Sequence, residues 1–230
     1  MPVFLLSDTK IIFPDPALAH PDGVLAVGGD LSPHRLKLAY RKGIFPWFNE
    51  GEPLLWWSPD PRFVLFPSEL KVAKSMRPYF NQKKFSVTYD RSFEAVMFAC
   101  AEDRKAQTGT WITHEMIDAY TRLHVLGYAH SVEVWQEAQL VGGLYGIAMG
   151  KVFFGESMFA RQSNASKFGF ITLVQELQNR GFTLIDCQQE TRHLASLGAR
   201  PIPRVQFLDL LRKNESIPDG EGYWKEWVGE

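Results

Sequence analysis

The chain has 230 residues, 45% hydrophobic and 13% aromatic, with 25 Lys and Arg against 26 Asp and Glu and a formal net charge of -1. That is enough apolar material for a sizeable core, and the near-zero charge excludes an overall electrostatic pull on nucleic acid, so such binding would need a local patch. The two cysteines, Cys100 and Cys187, lie too far apart to suggest a disulfide framework; no apolar run nears the roughly 18 residues of a membrane span, and Met1-Pro2-Val3-Phe4 lacks a signal-peptide pattern, so a cytoplasmic protein without membrane association is expected.

Residues 1–62 are rich in proline and glycine, as in Phe13-Pro14-Asp15-Pro16, Gly28-Gly29-Asp30 and Gly43-Ile44-Phe45-Pro46-Trp47-Phe48. One helix fits there, with Ser32 as cap, Pro33 at its first position and Leu36, Leu38 and Ala39 inside. The region reads as a small, loop-heavy N-terminal domain held by tryptophans. Residues 63–230 read as a second, larger domain. Its expected elements are a strand at Phe63 to Phe66, a helix at Ser68 to Phe80, a strand at Phe85 to Tyr89, and helices at Ser92 to about Asp103 and at Glu115 to Leu126. Three strands joined by tight turns follow, at Ala129 to Gln136, Leu140 to Ala148 and Val152 to Phe159. Ser166 to Arg180 carries Phe170, Ile171, Val174 and Leu177 on one helical face, with Asn164 or Ser166 as cap and Gly181 at the stop. A strand from Phe182 to Gln188 and a short helix at Val205 to Leu211 precede a polar, glycine-rich tail with stray aromatics. This α+β order resembles the acetyltransferase-like fold.

The stretch from Lys151 to Gln188 sets acid and amide groups inside apolar strands. Glu156 lies within Val152 to Phe159, and Asp186 and Gln188 end the next strand. Residues two apart on a strand share a face, so Asp186 and Gln188 are expected to point into one space. Ionised groups are rarely buried unless paired or functional. The alternative is internal salt bridging to arginines such as Arg161 or Arg192. Several other chemistries lack their residues. There is no phosphate-cradling Gly-x-x-x-x-Gly-Lys loop, no metal-ligand spacing among the six histidines and no Cys-x-x-Cys. Ser157 has no evident histidine partner, which disfavours nucleophilic catalysis. Gln139-Leu140-Val141-Gly142-Gly143-Leu144 fails as a pyrophosphate-binding turn, which argues against a coenzyme A thioester as donor. Lys71, Lys74 and Arg77 recur every three residues on the expected Ser68 to Phe80 helix, with Lys83 and Lys84 just beyond. That face suits a phosphate backbone, or is simply solvated.

Ordered blocks along nearly the whole chain resemble the leucyl/phenylalanyl-tRNA protein transferases. They include Gly28-Gly29-Asp30-Leu31-Ser32, Gly43 to Phe48, Trp56-Trp57-Ser58-Pro59-Asp60-Pro61-Arg62, Gly109-Thr110-Trp111-Ile112-Thr113, Gly155-Glu156-Ser157-Met158-Phe159 and Ile185-Asp186-Cys187-Gln188. The resemblance implies movement of Leu or Phe, with Met as a further candidate donor, from aminoacyl-tRNA to the α-amine of proteins beginning with Arg or Lys. Such transfer marks proteins for N-end rule degradation. It implies no cofactor and no metal, since the aminoacyl ester is already activated. Asp186 and Gln188 match the pair that orders and deprotonates the amine, with Asp186 polarising Gln188 or acting directly as base. Glu156 joins them, facing either the acceptor's cationic first side chain or the donor's amine. Leu144, Phe153, Phe170, Leu173 and Ile185 would line the Leu/Phe slot, with Gly155 and Ser157 beside it. Trp47, Trp111 and Tyr120 would stack on the terminal adenosine or hold the ester, and Lys71, Lys74, Arg77, Lys83 and Lys84 would meet the tRNA stem. The rival readings are a thioester-dependent N-acyltransferase and a non-enzymatic RNA-binding module.

Overall fold

The computed structural model describes residues 3–105, 111–219 and 224. Gly109 and Thr110 of the motif before Trp111 lie outside them. The chain opens with β1 (Phe4–Leu6), β2 (Val24–Gly28), α1 (Pro33–Arg41), β3 (Phe45–Pro46) and β4 (Leu55–Trp57), and these strands form a sheet in the order β1-β2-β4-β3. Helix α1 begins where the sequence reading sets it: the Ser32 hydroxyl accepts from the Arg35 amide and Pro33 occupies the first helical position. Its buried face carries Leu36, Ala39 and Tyr40, while Leu38 is only half-buried. The strands between the loops are two to five residues long, too short to show an alternation. The tryptophans tie these loops together, Trp56 donating to the Gly28 carbonyl at 2.9 Å and Trp57 to that of Trp47 at 2.7 Å.

The larger sheet begins with β5 (Arg62–Leu65). After it come α2 (Arg77–Asn81), β6 (Ser86–Tyr89), α3 (Phe93–Lys105), α4 (His114–Val125), β7 (Ala129–Gln136), β8 (Gln139–Met149), β9 (Val152–Ala160), α5 (Ala165–Asn179), β10 (Leu184–Gln188), α6 (Arg192–Ser196), β11 (Arg200–Ile202) and α7 (Arg204–Asn214). Its strand order is β11-β5-β10-β9-β8-β7-β6. The α+β order expected from the sequence is the one observed. Among the described residues no helix is long and apolar enough to cross a membrane.

Three sequence expectations need correction. Ser68 to Phe80 is not one helix: a 3-10 turn at Pro67–Glu69, an extended stretch, a second 3-10 turn at Lys74–Met76 and then α2 share that span. Pro78 explains the break, because a proline inside a continuous helix would lose its hydrogen bond to the Lys74 carbonyl and clash with it; in α2 it stands in the first turn. Lys71, Lys74 and Arg77 therefore do not share one helical face, although all are exposed. Asn164 sits at the start of α5 but makes no side-chain cap; its backbone is left-handed (φ 66°) and its amide nitrogen donates to the Tyr79 hydroxyl at 3.0 Å. Two described residues of the tail, Asn214 and Trp224, are docked, where the sequence suggested only a polar stretch with stray aromatics. Asn214 bridges the β8–β9 turn, accepting from the Lys151 amide at 2.7 Å and donating to the Met149 carbonyl at 2.9 Å. Trp224 is 2% exposed.

The core lies on both faces of the larger sheet. Helix α5 packs so closely on one face that a Cβ at Gly169 would come within 2.6 Å of Val134 Cγ2. As the crossover predicts, β9 and β10 run parallel, in the register Leu184↔Val152, Ile185↔Phe153 and Asp186↔Phe154. Pairing stops at Asp186. A register shift separates Asp186 from Gln188 on the β5 side, and Gln188 is left-handed at φ 61°. Strand β9 continues to Ala160 along β8, so the two parallel strands part at their C-terminal ends.

Candidate active site

The parted strands open a cleft of about 510 Å³. Leu144, Phe153, Phe170 and Ile185 give it an apolar wall, Trp47 and Trp111 stand on its rim side, and Gly155, Glu156, Ser157 and Gln188 bring polar groups to it. A Cβ at Gly155 would meet the Asp186 carbonyl oxygen at 3.6 Å, an ordinary van der Waals contact, so the backbone approach here is not a tight one. Two expected members are elsewhere. Leu173 is fully buried in the core and Tyr120 is fully buried behind Glu156; neither lines the cleft, so Tyr120 stacks on no ligand here.

Glu156 is 8% exposed and is held entirely by uncharged groups. The Tyr40 hydroxyl donates to its Oε1 at 2.7 Å, the Gln188 amide nitrogen donates to the same oxygen at 2.8 Å, and the Tyr120 hydroxyl donates to Oε2 at 3.3 Å. Tyr40 and Tyr120 are also hydrogen-bonded to each other through their hydroxyls. Burial, reinforced by the nearby Asp186 charge and opposed by the Tyr40 and Gln188 hydrogen bonds, pushes the Glu156 carboxyl up to about 7. Tyr40 comes from α1, more than a hundred positions away in sequence, and the sequence did not single it out.

Asp186 has the opposite company. It is 0% exposed and takes a two-pronged ion pair from Arg62, with Nε at 2.7 Å from Oδ1 and Nη2 at 2.6 Å from Oδ2. The Arg62 guanidinium lies 4.8 Å from the Phe45 ring centre and 4.7 Å from that of Phe207. The salt-bridge alternative therefore holds for Asp186, but with Arg62; Arg161 pairs with Glu102 instead. Asp186 Oδ1 also accepts from the Gln188 backbone amide at 2.9 Å. Both carboxylate oxygens are engaged and unexposed, so Asp186 is turned to Arg62 and not to the open cleft. Its link to Gln188 runs through the backbone, because the left-handed turn at Gln188 takes that side chain off the face that strict alternation gives it. The Gln188 amide nitrogen is committed to Glu156, which leaves its carbonyl oxygen as the group it can offer to the cleft.

Several cleft residues carried no usable signal in the sequence. Arg104 donates from Nε to Ser157 Oγ at 3.3 Å, and Met158, Thr191 and His193 are among the further lining residues. Cys187 also lines the cleft, but burial first and the Asp186 charge second push its thiol up, so it stays protonated and is no nucleophile at neutral pH. Lys71, Lys74, Arg77, Lys83 and Lys84 are exposed and outside the cleft; Lys84 Nζ lies 5.1 Å over the Tyr79 ring.

Two family models match the chain. One described as leucyl/phenylalanyl-tRNA protein transferase covers residues 64–212, and one described as the N-terminal domain of the same transferase covers 29–60. The leucyl/phenylalanyl-tRNA protein transferase of Pseudomonas aeruginosa strain PAO1 is 59% identical over 93% of this chain and 95% of its own. The proteins of the same name from Syntrophus aciditrophicus and Syntrophobacter fumaroxidans are 60% identical over 93% of this chain and 90% of theirs, and 57% identical over 100% and 97%. Among solved structures, an aminoglycoside acetyltransferase from an uncultured soil metagenomic sample overlays with a TM-score of 0.36 at 16% identity, over 46% of this chain and 80% of that one, a likeness too loose to carry anything about function.

Proposed function

The chain belongs to the leucyl/phenylalanyl-tRNA protein transferase family, and on that premise we propose that its cleft moves a leucyl or phenylalanyl group from tRNA to the α-amine of a protein beginning with Arg or Lys. Marking such proteins for N-end rule degradation, in the cytoplasm where aminoacyl-tRNA is made, is the corresponding role. The observation that carries the site reading is the contact between Glu156 and Gln188 at an apolar cleft. In this reading residues 1–62 are a small domain that lends Trp47 to the cleft of residues 63–230 and Tyr40 to Glu156 behind it.

The donor's side chain enters the wall of Leu144, Phe153, Phe170 and Ile185, while Trp47 and Trp111 offer faces for the terminal adenosine. The acceptor amine sits against the Gln188 carbonyl, and Glu156 takes its proton. The two groups are well matched: a reference α-amine has a pKa of about 7.7–8.0, roughly one unit above a carboxyl near 7, so the transfer costs about 1.4 kcal/mol. The freed amine nitrogen attacks the ester carbonyl. The new C–N bond forms as the bond from the carbonyl carbon to the ribose oxygen breaks, and the proton that the attacking nitrogen loses on becoming an amide passes to that oxygen. Asp186 does not touch the reactants in this scheme; with Arg62 it holds the Gln188 backbone in its turn. The ester supplies the driving force, so positioning and one weak base suffice.

The test is direct. Purified protein with Leu-tRNA or Phe-tRNA and an Arg-initiated peptide yields a peptide longer by one Leu or Phe, read by mass spectrometry. The N-acetylated peptide stays unmodified. No transfer to the free peptide, under conditions where the tRNA binds, overturns the reading.

A further inference from the structure

We propose that Trp224 forms part of the donor slot: it backs Phe153 and thereby sets how large an aminoacyl side chain the slot accepts. The proposal rests on the reading of the cleft given above. Phe153 lines the slot from β9, and its freedom is restricted on the β8 side. The ring lies over Gly146, where an added Cβ would come within 2.4 Å of Phe153 Cζ. Trp224 stands beside it, with ring centres 5.8 Å apart and planes tilted by 32°. Trp224 in turn stacks on His130 at 4.2 Å and 14° and meets Tyr89 edge-on at 6.1 Å.

That stack is anchored. His130 is buried, its Nδ1 lies 2.8 Å from Asp90 Oδ2, and Asp90 also accepts from the Ser131 amide at 2.9 Å. The segment leading to Trp224 is tethered at both Asn214 and Asp219. Asp219 accepts from Arg41 at 2.7 Å and from the Gly150 amide at 3.2 Å, next to the turn that Asn214 bridges. A wall built from Phe153 alone could retreat under a larger substituent; one backed by a fixed indole cannot, since packed interiors resist displacement. The match to the family model ends at residue 212, so this support comes from chain beyond it.

The test is a volume series at one position, Trp224→Phe, Trp224→Leu and Trp224→Ala, each assayed for kcat/KM with Phe-tRNA and with Leu-tRNA. Both donors meet the same folded enzyme, so general loss of stability cancels in their ratio. The Phe:Leu ratio is expected to rise with the volume removed, by about tenfold for Trp224→Ala, a change of the size that a methylene makes in an apolar pocket, and by less than about twofold for Trp224→Phe. If Trp224→Ala does not fold, the rise from Trp224 through Phe to Leu still carries the test. A ratio that stays flat while both activities fall together overturns the proposal and leaves Trp224 as core. Parent protein that transfers neither residue overturns the cleft reading itself, and this inference with it.

Discussion

The neighbouring ends of β9 and β10 each bury a carboxylate, and the two are held in opposite ways. Asp186 has a guanidinium on both oxygens; Glu156 has two phenols and an amide. A cation makes a buried carboxylate a fixed structural charge, whereas neutral donors leave its proton affinity to be set by burial, here near neutrality. Standing at neighbouring strand ends does not therefore make two acids interchangeable. In the proposed mechanism Glu156 is the acid that exchanges a proton with the substrate, and Asp186 with Arg62 is the frame around it.

The largest effect should come from breaking the frame. Arg62→Ala leaves Asp186 uncompensated in the core and should lower unfolding free energy by about 3–5 kcal/mol in urea titration. A loss below about 1 kcal/mol would show that the pair is not what holds β10. Glu156→Gln should do the reverse: kcat/KM at pH 7.5 falls about 10²–10³-fold, the size of a general-base contribution, while the urea midpoint stays near that of the parent.

The pH dependence of stability separates the two sites further. Folding raises the Glu156 carboxyl from 4.5 to about 7, so the folded state binds the proton more tightly. Its stabilising contribution is complete below about pH 4.5 and is lost as pH rises through 7, by up to roughly 3 kcal/mol. Glu156→Gln should flatten that decline between pH 5 and 8. An unchanged slope would remove Glu156 as its source. The smallest effect is expected far from both acids. Charge reversal at Lys74 or Arg77 should weaken tRNA binding and reduce the salt slope by about 1 for each phosphate no longer neutralised, with turnover at saturating tRNA unchanged. A constant slope would mean that those side chains are only solvated.

The sequence made the strand, crossover helix and parallel strand from Lys151 to Gln188 legible, because each element has its own period and Gly181 marks the stop. It could not show the turn at Gln188, since a glutamine at φ 61° carries no composition signal. Nor could it reveal that the partner of Asp186 is Arg62, 124 positions away on an antiparallel neighbour. The basic helix failed for a reason that was present, Pro78, which outweighs a three-residue charge spacing. The N-terminal sheet was hidden because strands of two to five residues among prolines give no alternation to count. Tyr40 and Trp224 show the same limit from the packing side: both read as ordinary aromatics until the fold sets one against Glu156 and the other against Phe153.

The account turns on Glu156 as the proton acceptor, and the pH profile of kcat/KM for the parent and for Glu156→Gln tests it most directly. With the carboxyl near 7 and the amine near 8, the parent should rise through pH 7 and be level by about pH 8, whereas the variant, which can use only an amine that is already neutral, should still be rising through pH 8. Two profiles of the same shape, differing only in height, would contradict the assignment.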